Sequence, residues 1–149
     1  MMTMEYATEC LSTACRRFKG YDVELKQEFG RTARNFLRVW AKKHGQVGKI
    51  EWNKAGSAMS GEVSFRAADY AIWVQADSCA GLPPIMFRKQ VGYGAGVGSN
   101  NFATPEKFAS MSLEVFEKLI GRQFGTHPPV IMDKDSTYAW DMCKGKVEV

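Results

Sequence analysis

Four stretches of this chain carry side chains that could do chemistry. The first is VIMDKDSTYAW, residues 130–140, where three apolar residues lead into Asp133, Asp135 follows two positions on, and Thr137 two after that. A carboxylate at the end of an apolar strand can attack a phosphoryl group, and a second one two residues later can carry the proton. The second is Cys79, in a turn with Asp77 and Ser78, a thiol that becomes a nucleophile only with a base beside it, for which His44 and His127 are the candidates. The third is GYGAGVGSNN, in which Gly92, Gly94, Gly96 and Gly98 alternate and leave backbone amides open to an anion or to another backbone. The fourth is a row of cations, Arg31, Arg34, Arg38 and Lys42, at three- and four-residue steps, which can follow a line of phosphates.

Over about eight residues the first stretch resembles the nucleophile loop of haloacid-dehalogenase-type phosphatases. The resemblance implies Asp133 as nucleophile, Asp135 as acid/base, and a magnesium ion held by carboxylates and a lysine from later strands. Ser136 stands where that family has glycine, and twelve residues follow Thr137, so the residues themselves lead us to expect a polar turn after a short strand. The glycine loop fits neither phosphate-binding pattern. Counting Gly-x-Gly-x-x-Gly from Gly92 lands on Val97, counting from Gly94 lands on Ser99, and no Gly-Lys-Ser/Thr follows. The expectation for Gly92, Gly94, Gly96 and Gly98 is a flexible connection. Cysteines at 10, 15, 79 and 143 form no Cys-x-x-Cys pair, and with two histidines in the chain no metal site and no cofactor is expected.

The cations lie on the strongest amphipathic segment. Asp22 can cap a helix running to about Lys43, with Leu25, Phe29, Ala33, Phe36, Leu37 and Trp40 within one arc and the row of cations on the other. Before it, Met4, Ala7, Leu11, Ala14, Cys15 and Phe18 mark one face of a first helix that Gly20 stops. Four runs of period two follow at 47–53, 61–67, 69–76 and 84–91, separated by Gly/Ser/Pro-rich breaks. Within them Tyr70, Ile72 and Val74 share one side of a strand and Trp73 takes the other, where Arg66 and Arg88 on neighbouring strands would join it. A tryptophan between two arginines can stack bases and grip phosphates. Ser112 can cap a last helix to about Arg122, Thr104-Pro105-Glu106 is a further helix start, and 129–132 and 137–140 have weak strand character.

These elements predict an α+β fold: an antiparallel four-stranded meander packed by two N-terminal helices and one C-terminal helix. The domain would span 1–125, with 126–149 as a tail packed on it. A chain of 149 residues, 45% apolar and 24% charged, can bury a full core. No apolar run approaches the ~20 residues of a membrane span. The start, MMTMEYATECLSTACRRFKG, lacks a basic segment followed by an apolar one, so the expected location is cytoplasmic. The net charge of +4 is uneven: residues 1–49 hold ten Lys/Arg against five Asp/Glu, and the rest of the chain is balanced. That asymmetry points to an acidic partner.

The functional expectation is therefore a non-enzymatic binding protein that meets nucleic acid or a nucleic-acid-handling protein through Arg31, Arg34, Arg38, Lys42, Arg66, Trp73 and Arg88. Small, motif-poor, slightly basic chains are common in phage and mobile elements. By class alone, that suggests an inhibitor of a bacterial defence nuclease. The alternatives are a small hydrolase using Asp133/Asp135, or Cys79 with a histidine, and a subunit of a homo-oligomer.

Overall fold

The computed structural model describes residues 2–52, 61–76, 82–92 and 98–122, together with the backbone of three short strands at 130–132, 138–141 and 145–148. Helix α1 spans Met4–Arg17, and the Thr3 hydroxyl caps it by accepting from the Tyr6 amide. Helix α2 spans Val23–Lys43, capped by Asp22, whose carboxylate accepts from the Leu25 amide at 3.1 Å. Each cap satisfies one of the amides that the first helical turn leaves open. Glu5 and Glu24 sit in the first turns, and Arg16, Arg17, Lys42 and Lys43 in the last, matching the helix dipole at both ends.

Strands β1 (Lys49–Trp52), β2 (Glu62–Arg66), β3 (Tyr70–Gln75), β4 (Ile85–Lys89) and β5 (Asn101–Ala103) form an antiparallel meander in chain order. Helices α3 (Pro105–Ser110) and α4 (Leu113–Ile120) follow. Strand β6 (Val130–Met132) then lies parallel to β5, and β7 (Tyr138–Asp141) and β8 (Gly145–Glu148) continue the sheet antiparallel. The four-stranded, three-helix expectation is thus too small. Strand β5 has three residues, too few to show a period, and the helical segment is two helices because Thr104 and Ser112 each cap their own. The parallel step between β5 and β6 follows from α3 and α4 lying between them, since parallel neighbours need a long crossover.

The helices cover one face of the meander. Phe29, Ala33, Phe36, Leu37 and Trp40 of α2 are buried with Val63, Phe65, Ile72, Val74, Ile85 and Phe87 of the sheet in one cluster, which α4 joins through Phe116 and Leu119. Trp40 sits at its centre, 5.1 Å from the Phe116 ring, 5.3 Å from Phe108 and 6.0 Å from Phe65. Tilted and edge-on ring pairs of this kind add about 0.5–1.5 kcal/mol beyond area burial. The core holds α2 rigidly against the sheet and fixes which of its side chains face outward.

Candidate functional site

On α2 the expected row of cations divides in two. Arg31, Arg38 and Lys42 are exposed on the outer face, whereas Arg34 is half-buried. The Arg34 Nε donates to the Gly30 carbonyl oxygen at 3.2 Å, and its guanidinium lies over the Trp52 ring at 4.6 Å. Arg34 sits ~60° round the helix from Arg31, toward β1. There Gly30 leaves a gap that the Trp52 indole fills, so a Cβ at position 30 would stand 2.1 Å from the ring. Arg34 is therefore a clamp on Trp52, and the outward row is Arg31, Arg38 and Lys42.

The neighbours of that row also differ from expectation. Spacing suggests that Glu28 pairs with Arg31 one turn on. Instead Glu28 accepts from Arg17 of α1 at 3.1 Å, linking the two helices. Arg38 donates to the Asn35 side chain at 3.2 Å. Neither Arg31 nor Arg38 forms an ion pair with another described residue. Over seven residues the two lie ~10 Å apart along the helix axis.

The outer face of the sheet brings Arg66, Trp73 and Arg88 together, as the alternation predicts. Arg66 and Arg88 flank Ala71 on the neighbouring strands, and both guanidinium groups lie against the Trp73 ring, at 5.5 and 4.8 Å. Their use is another matter. Trp73 is 6% exposed, so its ring faces are occupied and a base cannot stack on it. Arg66 approaches Glu51 at 3.7 Å, and Arg88 donates to the side chains of Gln90 and Asn100, both at 3.0 Å. Burial, and then the Arg66 charge, hold the Arg88 guanidinium below its ordinary range. The expected stacking platform is thus a cross-strand support.

Of the glycines, Gly92 is exposed with φ of +60°, a left-handed turn that suits glycine. Gly98 is built into the fold. Its amide donates to the Lys89 carbonyl at 2.7 Å, and an added Cβ would meet the Arg122 carbonyl at 3.0 Å. Gly94 and Gly96 lie outside the described residues, as do Asp133, Asp135, Cys79 and His127. Among the described residues no three His, Cys, Asp or Glu side chains come together as metal ligands, and no helix is long and apolar enough to cross a membrane.

His44 ends α2 with its ring 5.3 Å from that of Trp40 and its Nε2 buried without a partner among the described residues. Burial, then Lys43, depress its pKa. A depressed imidazole refuses a proton that the unfolded chain accepts. Stability from this site is complete above the ordinary range near ~6.5 and declines as pH falls through that range toward the folded value. Wild type should therefore lose more urea resistance between pH 7.5 and 5.5 than His44→Gln does. Parallel losses would show that His44 does not titrate with folding.

A groove of about 400 Å³ runs between α1 and α2. Arg31 and Asn35 line one wall, and Tyr6, Glu9 and Cys10 the other, with Met2 at one end. Tyr6 is 56% exposed. Sequence reasoning placed only the apolar arc of α1. Tyr6, Cys10, Thr13 and Arg17 fall on a second line at three- and four-residue steps, which was the available signal for this groove. No protein-family model, curated protein or solved structure matches the chain.

Proposed function

We propose that this chain is a non-enzymatic binding protein that engages nucleic acid through the outer face of α2. The observation that supports this reading most is that Arg31 and Arg38 stay exposed without a carboxylate partner among the described residues, because α1 has taken Glu28 through Arg17. Lys42 and Lys43 continue the cationic surface at the helix end. Arg34, Arg66, Trp73 and Arg88 support the scaffold rather than the contact.

The test is fluorescence anisotropy of the full chain with labelled DNA across 50–200 mM salt. Each phosphate contact released should lower the slope of log affinity against log salt by about 0.7–0.9. The double reversal Arg31→Glu/Arg38→Glu is expected to weaken binding at least ~10-fold and to reduce the slope by roughly two contacts, with unchanged thermal stability because both side chains are exposed. Unchanged affinity in that variant refutes the reading. Retention on heparin without affinity for any DNA moves the partner to an acidic protein surface. That outcome fits the narrower expectation of an inhibitor of a nucleic-acid-handling enzyme.

A further inference from the structure

Resting on that reading, we infer that the groove between α1 and α2 takes an unpaired nucleobase, with Tyr6 as its stacking surface, so that the nucleic acid bound is single-stranded. An exposed tyrosine ring on one wall faces Arg31 on the other, and Arg31 begins the outward row that Arg38 continues. Stacking aromatics interleaved with backbone cations are how proteins hold single strands, because every base offers a flat face to a ring and every linkage a charge to an arginine.

The remaining polar groups of the groove fit a base better than a phosphate. Glu28 is engaged by Arg17, which leaves the carboxylate of Glu9 as an acceptor for an exocyclic amine. The Asn35 side-chain oxygen accepts from Arg38, so its amide nitrogen is left to donate. With Arg17 and Arg31 set against Glu9 and Glu28 the groove is close to neutral, while the cations beyond it are not. A base would seat in the groove and its phosphates along α2. The Tyr6 hydroxyl also stays protonated, since a hydrogen bond to the Cys10 side chain, before burial and Glu9, raises its pKa. A duplex offers Tyr6 no open base face, because its bases are already stacked on one another.

The experiment compares a labelled oligothymidylate of ~20 nucleotides with a mixed-sequence duplex of equal length, using wild type, Tyr6→Ala, Tyr6→Phe and Arg31→Glu/Arg38→Glu. Single strand should bind at least ~10-fold tighter than duplex. Tyr6→Ala should lose ~10-fold or more on the single strand, the size of one stacked base, and almost nothing on the duplex, while Tyr6→Phe keeps wild-type affinity. Photocrosslinking of an iododeoxyuridine strand, followed by peptide mapping, should place the adduct on the peptide holding Tyr6. Equal affinity for both forms with no effect of Tyr6→Ala overturns the inference and leaves the α2 reading standing, provided the charge reversal still abolishes binding. A crosslink mapping elsewhere also overturns it. Absence of binding to either form removes both.

Discussion

Gly30→Ala is expected to destabilise the protein by about 2 kcal/mol, although the usual effect of this change inside a helix is a gain near ~1 kcal/mol. The new methyl would lie 2.1 to 2.5 Å from three atoms of the Trp52 ring, so the ring must move or the helix must shift away from β1. Both carry a cost. If the indole leaves, its burial and its contact with the Arg34 guanidinium are lost, about 1.5–3 kcal/mol together. If α2 shifts, Phe29, Ala33 and Leu37 are pulled from a core in which each is fully buried. Urea titration of Gly30→Ala, Trp52→Ala and the double variant separates these effects from general helix propensity. In the Trp52→Ala background the same glycine change should become neutral or stabilising, and destabilisation of equal size in both backgrounds would show that Trp52 does not fill this gap.

Asn101 predicts the larger loss. It is fully buried, and its amide nitrogen donates to the carbonyl oxygens of Phe87, Ser99 and Leu119 at 3.1, 3.2 and 3.3 Å. Its side-chain oxygen accepts from the Arg122 Nη1 at 3.1 Å. Three acceptors on one side and a guanidinium on the other fix which way the amide points. One side chain therefore ties β4, β5, the end of α4 and the segment after Gly98. Asn101→Leu removes the donors and the acceptor together and should cost about 3 kcal/mol. Asn101→Asp keeps the shape but sets a carboxylate against three carbonyl oxygens. It should cost at least as much as leucine, despite being the closer match in size. An aspartate variant as stable as wild type would refute this account of the hub.

Much of this architecture is legible in the residues because one periodic signal dominates each element. Asp22 and the apolar arc to Trp40 define α2 to within a residue, and strict alternation in DYAIWVQA puts Tyr70, Ile72 and Val74 into the core and Trp73 outside it. Periodicity gives a direction and says nothing of what lies there. Trp73 points away from the helices yet is buried between Arg66 and Arg88, and Arg34 belongs to the polar arc yet closes over Trp52. The exchange of partners at Glu28 was equally out of reach, because Arg17 comes alongside only once α1 folds back against α2. Asn101 was unreadable for the same reason. A lone polar residue after a glycine-rich stretch looks like loop chemistry until β4, β5 and α4 converge on it.

The clasp between α1 and α3 has a kinetic meaning. The Ser12 hydroxyl donates to the Glu106 carboxylate at 2.7 Å across 94 positions of sequence, while every strand pairs with the next one along the chain. Neighbour-to-neighbour pairing zips quickly, and closing so wide a ring is left to late in folding. The N-terminal helix is then the first part to fray, and its amides should exchange with heavy water ahead of those in α2. A strand of nucleic acid lying across both helices would slow that exchange, so occupancy could be read from α1 protection alone, with no label on the ligand.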